Sequence, residues 1–300
     1  MKQVYYLDHG YDFFRWEMQP VLDLLTANGV SVNIKHMPDE MNGIYNQVVL
    51  TNIPAADIWD EMHKNGNKIV HVSRSKDACM SSRWANKLAD TFCAASTIEE
   101  AALVNLLGRD RVVLTGMPYL DIYEFLKKKP SKEAYLLGIQ APFAAHGYEF
   151  ENTAEFLDDF YVNHPRKQGW KDLRFRFHQN HSHYWSDSHI PVQDGQLPTF
   201  TDPVEKTPEI LYNSRGLYTS YFSFMLMEAC LLDKPIIIYH DNPEWRSKIE
   251  GLINDPGWWS AYPWHELEKE EKRKELKEAF AINLDGNSAQ RVADEVLKLV

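Results

Sequence analysis

Residues Gly216 to Tyr239 read GLYTSYFSFMLMEACLLDKPIIIY. The stretch divides into strand, turn, helix, tight turn and strand. Leu217 to Thr219 is a short β-prone run. Ser220 fits an N-cap, because its side-chain oxygen can accept from orphan helix N–H groups. Phe224, Met225, Glu228, Leu231 and Leu232 recur at helical spacing. Asp233-Lys234-Pro235 ends the helix, since proline cannot continue it. Ile236 to Tyr239 is an apolar run suited to a buried parallel strand. Together these make a βαβ unit whose helix starts beside Thr219, Ser220 and Ser223. Free N–H groups and hydroxyls at such a start form a seat for phosphate. Glu228 follows about two turns later, within reach of a sugar hydroxyl beside that phosphate. An ordinary capped helix in an ordinary βαβ unit is the alternative reading.

The same alternation runs through the rest of the chain. Strand-like runs at Val4–Leu7, Val30–Ile34, Gln47–Leu50, Lys68–Val72, Thr91–Ala95 and Arg111–Leu114 are separated by helical patterns. The patterns are Phe13–Thr26, Ala55–Lys64, Ser81–Ala89 and Thr97–Leu107. Ser96-Thr97-Ile98-Glu99 resembles a capping box. Apolar strands alternating with helices predict a doubly wound parallel sheet. Residues 118–132, with two prolines and the run Lys127-Lys128-Lys129, then break the rhythm and read as a linker. A second cycle follows: a strand at Tyr135–Gln140, a helix at Glu149–Asn163 and a strand at Leu173–Phe177. His181–Lys206 is a long polar segment, and Pro208–Tyr212 a short helical piece. Beyond the opening stretch, helices are expected at Pro243–Ile253, Glu266–Phe280 and Ala289–Leu299. The expected division is a first Rossmann-like domain over 1–117, the linker, a second over 133–280, and a helix over 281–300 that packs back on the first.

Composition bounds the function. The 300 residues are 44% hydrophobic and 25% charged, as a globular chain of about two domains should be. The net charge of −11 disfavours general binding to nucleic acid or anionic membrane, since both need a positive field. The three cysteines show neither disulfide nor zinc spacing, and Cys93 and Cys230 read as reduced core thiols. No apolar run is long enough for a membrane span. Met1-Lys2-Gln3 leads straight into a strand, so the expectation is a cytoplasmic protein with no secretory signal.

In open parallel sheets, ligands sit beyond the carboxyl ends of the strands. That rule selects Asp8, His9, Gly10 and Asp12 after the first strand. It selects His71, Ser73 and Arg74 at the fourth, Thr115-Gly116 at the sixth, and Ala141 to His146, His178 and Thr219 to Ser223 in the second cycle, with Arg176 in the strand that His178 closes. His71, His9 and Asp8 are candidate general bases; a histidine can work near neutral pH, and Asp8 could orient His9. Each has a structural alternative, a strand end tied to backbone. Arg176 and His178 could offset the charge of a diphosphate. The histidines at 178, 181, 183 and 189 invite a metal reading, but without cysteine or H-E-x-x-H spacing none is assigned. A P-loop, a G-x-G-x-x-G after the first strand, a G-x-S-x-G elbow and an Asp-x-Asp pair are all absent from the sequence.

Thr91 to Asp121, TFCAASTIEEAALVNLLGRDRVVLTGMPYLD, is similar to the end of the first domain in GT-B glycosyltransferases. There a Thr-Gly-x-Pro-x-x-Asp signature follows a strand-helix-strand; here it is Thr115, Gly116, Pro118 and Asp121. Tyr218 to Tyr239 resembles the donor segment of that fold, with Glu228-Ala229 where an acidic residue holds the donor ribose. Thr219-Ser220-Tyr221-Phe222-Ser223 resembles the Thr-Asp-Tyr-Ser-Ser run of the CDP-glycerol glycerophosphotransferase-like branch, without its Asp. His71 and His178 match that branch's histidines, but Val72 and Gln179 depart from the residues that follow them. The resemblance implies a GT-B α/β protein, two Rossmann-like domains facing a cleft. It implies a metal-independent transferase moving a sugar from a nucleotide-diphosphate donor to an acceptor hydroxyl, with no cofactor beyond that co-substrate. His178, Arg176, Thr219, Ser220, Ser223 and Glu228 would bind the donor. The acceptor stays open among a glycan, a small molecule, a protein and a modified DNA base. A polyol-phosphate transferase, a nucleotide-sugar epimerase or hydrolase, and a non-catalytic nucleotide-binding protein are the alternatives.

Overall fold

A computed structural model of the chain describes residues 2–8, 12–36, 43–52, 56–73, 89–140, 159–177, 199–200, 206–219, 224–239 and 266–300. The described residues form two compact units: those through Lys128 together with Leu276–Val300, and those from Lys129 to Tyr239 together with 266–275.

The first unit is built on β1 (Gln3–Asp8), α1 (Asp12–Ala27), β2 (Ser31–His36), β3 (Val48–Thr51), α2 (Ala56–Lys64), β4 (Lys68–Val72), β5 (Thr91–Ala94), α3 (Thr97–Leu107) and β6 (Val112–Leu114). Its six strands are all parallel, in the order β2-β1-β3-β4-β5-β6. Strand side chains alternate between two apolar faces. Val4, Tyr6, Leu50, Val70, Val72 and Cys93 pack with α1 residues Met18, Val21 and Leu25. Leu7, Val49 and Ile69 face Trp59 and Met62 of α2. Both faces are covered, which is why these strands read as unbroken apolar runs.

Residues expected as the start of the linker belong to this unit. Pro118–Asp121 is a 3-10 turn and α4 (Ile122–Leu126) continues it. Pro118, Tyr119, Leu120 and Tyr123 are buried, and that apolar content holds the segment to the sheet layer.

The second unit begins with β7 (Tyr135–Gln140). A π-helical turn at Asp159–Asn163 runs into α5 (His164–Lys167), followed by β8 (Leu173–Phe177) and β9 (Thr199–Phe200). Next come α6 (Thr207–Tyr212), β10 (Ser214–Thr219), α7 (Phe224–Leu231) and β11 (Ile236–Ile238). All five strands are parallel, in the order β11-β10-β7-β8-β9. The βαβ unit read from Gly216–Tyr239 is therefore present, with Leu217 opposite Ile236 and Thr219 opposite Ile238. Asp233 closes α7 at φ 55, letting Lys234 N donate to Ala229 O at 2.9 Å and Asp233 N to Cys230 O at 3.1 Å. Gly216 has no side chain because Pro235 O would stand 3.0 Å from a Cβ there. Thr199–Phe200, inside the long polar segment, pairs with β8 as an edge strand; two residues are too few to show a period. Aromatic side chains concentrate in the core of this unit: Phe160 stacks on Tyr218 at 4.6 Å, and the Tyr218 hydroxyl donates to Phe160 O at 3.2 Å.

The chain finishes with α8 (Glu270–Ala279), a 3-10 turn at Ala281–Leu284 and α9 (Ser288–Leu297). Ala289, Val292, Ala293 and Val296 of α9 are part of the first unit's core. Full burial of one such valine is worth about 1.5–3 kcal/mol. The Thr-Gly-x-Pro-x-x-Asp tract supplies the fastening. Asp121 Oδ1 accepts from Ser288 N at 2.9 Å and Oδ2 from Ala289 N at 2.8 Å, capping α9. Gly116 sits at φ +81, where Ser288 Oγ would lie 2.5 Å from a Cβ. Arg291 Nε donates to Thr115 O at 2.7 Å. Asn283 Oδ1 accepts from Met117 N at 2.6 Å while its amide donates to Ala95 O at 2.9 Å. Asp121→Ala leaves two helix N–H groups without acceptors and lowers unfolding free energy by about 1–2 kcal/mol. Urea unfolding checks this, and an unchanged midpoint would show that the cap contributes nothing.

Candidate functional site

Strand order picks out one place in each sheet. The first sheet runs outward from β1 to β2 on one side and from β3 to β6 on the other, so its order reverses between β1 and β3. The second reverses between β7 and β10. Ligands of open parallel sheets bind beyond the carboxyl ends at such reversals.

In the first sheet the reversal carries Asp8 and Asn52. Leu7 pairs with Thr51, and Asp8 and Asn52 are the next residue on each strand. Both are buried, as is Glu17 on α1. The Tyr6 hydroxyl donates to Asn52 Oδ1 at 3.2 Å, and Asn52 Nδ2 lies 3.5 Å from Glu17 Oε2. Asp8 Oδ2 is 3.9 Å from His36 Nδ1, while buried Oδ1 accepts no hydrogen bond from the described residues. A buried carboxylate oxygen with no donor is costly, by about 1–3 kcal/mol or more for a charged group. A ligand hydroxyl placed there would remove that cost.

His71 lies one row deeper and two strands from β1. It pairs with Thr51 on one side and Phe92 on the other. Its ring is packed 4.8 Å from Trp59 and 4.8 Å from Phe92. Neither ring nitrogen has a hydrogen-bond partner among the described residues, and burial pushes the imidazole down to about 3. At neutral pH this side chain is an uncharged core histidine.

A second polar group lies on the same sheet edge. Ser96 caps α3 through Glu99 N at 3.1 Å, as the capping-box reading expects. Glu99 reaches beyond that box. Its Oε1 accepts from Ser73 Oγ at 2.8 Å, just past β4, and its Oε2 accepts from Ala95 N at 2.6 Å. Burial pushes the carboxyl up to about 7, against the pull of those two bonds. The strand-end rule selected Ser73, but Glu99 looked like a cap only. No sequence signal marks its bond to Ser73, which joins residues 26 apart in the chain.

In the second sheet, Thr219 ends β10 at the reversal and is buried. Thr219 pairs with Ile139, and Ile139 with Arg176. Thr219 and Arg176 thus share one row and one face, with a single strand between them, about 10 Å apart along the row. Glu228 is buried on α7. His9, His178, Ser220 and Ser223 lie outside the described residues, as do Cys79 and the 178–189 histidines. Among the described residues, no group of three or more His, Cys, Asp or Glu could hold a metal ion, and no helix is long and apolar enough to cross a membrane. Cys93 and Cys230 are buried free thiols, both pushed up to about 12 by burial.

Two parallel sheets, each with polar side chains at its strand-order reversal, define a GT-B α/β fold. No protein-family model matches the chain, and no curated protein matches it. Solved structures do. S. aureus MnaA in complex with UDP is 14% identical, with a TM-score of 0.63 over 100% of this chain and 98% of that one. Methanocaldococcus jannaschii UDP-GlcNAc 2-epimerase, in complex with UDP-GlcNAc and UDP, is 13% identical with a TM-score of 0.61, covering 99% and 100%. The wall teichoic acid polymerase TagF is 12% identical with a TM-score of 0.60, covering 99% and 88%.

His71 and Glu99 titrate in opposite senses. The folded His71 pKa of about 3 lies below its usual 6.5, so between those values the unfolded chain binds the extra proton and acid weakens the fold. The folded Glu99 pKa of about 7 lies above 4.5, so between those values the folded chain binds it and rising pH weakens the fold. From pH 4.5 to 6.5 these slopes, about 1.4 kcal/mol per pH unit each, cancel. Glu99→Gln removes one of them. The stability of that variant relative to wild type rises by about 1.4 kcal/mol per unit from pH 4.5 to 7. Urea unfolding across that range measures it, and a pH-independent difference would return Glu99 to an ordinary carboxylate.

Proposed function

We propose that the protein binds a nucleotide-diphosphate sugar at the reversal of its second sheet. In this reading it moves the sugar, without a metal ion, to the hydroxyl of an acceptor held at the reversal of its first. The observation that carries this reading is the pair of strand orders, each with buried polar side chains at the reversal: Asp8 and Asn52 in one sheet, Thr219 in the other.

On the second sheet Thr219 and the start of α7, with Ser220 and Ser223 just before it, receive the phosphates. Glu228 takes the ribose hydroxyls. Arg176, in the row of Thr219, offsets charge on the departing diphosphate, with His178 beside it in sequence. On the first sheet Asp8 is the favoured base, because its Oδ1 is buried at the reversal and accepts no hydrogen bond from the described residues. The acceptor O–H donates to Asp8 and loses its proton there. Its oxygen attacks the anomeric carbon, and the bond to the diphosphate breaks. His9 and His71 are the other candidates; His71 is disfavoured by its depth and its weak basicity. The lack of an Asp-x-Asp pair supports metal independence.

A second reading, nucleotide-sugar epimerisation, is favoured by the UDP-GlcNAc 2-epimerase among the structural neighbours. Acceptor dependence separates the two, because an epimerase changes its donor with no acceptor present.

Calorimetry with UDP, GDP and CDP should show one diphosphate binding with micromolar to millimolar Kd. Glu228→Ala weakens that binding about tenfold. Asp8→Asn preserves it while lowering kcat by about 100-fold or more, with turnover insensitive to EDTA. The reading fails if no nucleotide diphosphate binds, and Asp8 loses its role if Asp8→Asn turns over normally.

A further inference from the structure

We propose that Glu99 is a proton-operated positioning residue. By gaining a proton it reverses its bond to Ser73 and frees the Ser73 hydroxyl hydrogen for a ligand at the carboxyl edge of the first sheet.

The geometry sets up the reversal. Ser73 is the first residue past β4, its backbone held by Ser73 N donating to Cys93 O at 2.9 Å. With Glu99 ionised, each carboxylate oxygen has one donor: Ser73 Oγ at 2.8 Å and Ala95 N at 2.6 Å. The Ser73 hydrogen is then committed to Glu99, and toward a ligand the hydroxyl offers only lone pairs. When Oε1 takes a proton, that O–H becomes the donor and Ser73 Oγ the acceptor. The Ser73 hydrogen rotates away and can be donated elsewhere. One proton enters from solvent, and no covalent bond among heavy atoms changes.

Among the described residues, burial raises the Glu99 carboxyl, the two hydrogen bonds pull against it, and no charged side chain contributes. On β4 the titratable neighbour is His71, uncharged at neutral pH. On β5 it is Cys93, a thiol held up at about 12 and lying on the opposite face with Glu295 and Lys298 of α9 acting on it. On α3 it is Glu100, whose carboxylate accepts from Arg109 Nη1 at 2.6 Å. In the 3-10 turn after α3, Arg111 Nε donates to Ala89 O at 3.0 Å and Asp110 is exposed. β6 carries no titratable side chain. The Ser73–Glu99 pair is therefore a two-position hydroxyl whose state is set by a single proton.

The role in turnover rests on reading the first sheet as the acceptor side; the titration itself does not. The test uses the full chain and two readouts. Carbon-13 NMR of the Glu99 carboxyl should titrate near pH 7, with the Ser73 and Ala95 amide signals moving in step. Glu99→Gln abolishes the step, because its amide donates to Ser73 at every pH. Ser73→Ala removes a bond that favours the ionised form and moves the Glu99 midpoint higher. The pH profile of kcat/KM with the nucleotide sugar shows a limb near 7 that Glu99→Gln lacks. A Glu99 midpoint at the ordinary 4.5, or Ser73 and Ala95 signals that ignore it, overturns the proposal. So does a limb near 7 that persists in Glu99→Gln. If no nucleotide sugar turns over, the functional reading falls, and the NMR titration still decides the proton-operated bond.

Discussion

The first unit depends on one carboxylate. Asp121 holds the first two amides of the final helix, and that helix contributes Ala289, Val292, Ala293 and Val296 to the face of the sheet that α1 also covers. Helix starts carry orphan N–H groups and a positive dipole end, so an anion is the natural partner. Thr115, Gly116, Met117 and Asn283 surround the same point: one carbonyl takes Arg291, one position leaves no room for a side chain, one amide is caught by Asn283. A tract that reads as a family signature is thus explained by fastening.

Several of the buried polar side chains stand where strands end. Asp8, Asn52, Ser73, Glu99, Thr115 and Thr219 all lie at or just past carboxyl ends. Strand order then separates them. Asp8, Asn52 and Thr219 sit at reversals, where a crevice opens because neighbouring crossovers leave on opposite faces. Ser73 and Glu99 sit beside one reversal rather than in it. Burial gives opposite results for two groups: Glu99 is lifted toward neutrality, while His71 is kept uncharged at neutral pH.

The sequence was most legible where periodicity was long. Every expected strand of the first unit is present within a residue or two, and the Gly216–Tyr239 unit has the expected pairing. It was least legible where the determinant is tertiary. Pro118 to Leu126 carry linker-like punctuation, yet Tyr119, Leu120 and Tyr123 bury themselves in the first unit. Thr199–Phe200 becomes a strand because β8 offers an open edge, which no local pattern announces. The strand-end rule found Asp8, Ser73 and Thr219, but it cannot tell a strand's last row from the one beneath. That difference of one row separates Asp8 from His71. Glu99 shows the converse limit: spacing revealed its helix cap, and only the fold revealed the serine it also holds.

The core of the first unit draws on both extremities of the chain, Val4 from one and Val296 from the other, with the second unit's strands encoded between them. During ribosomal synthesis the six-stranded sheet therefore lacks part of the cover on its α1 face until Val296 has emerged. The later-encoded unit draws on nothing past Glu275, ahead of the Ser288–Leu297 helix that the first unit needs. Vectorial, amino-end-first maturation is the common expectation for multidomain chains. Here connectivity inverts it: the half made first is the half completed last.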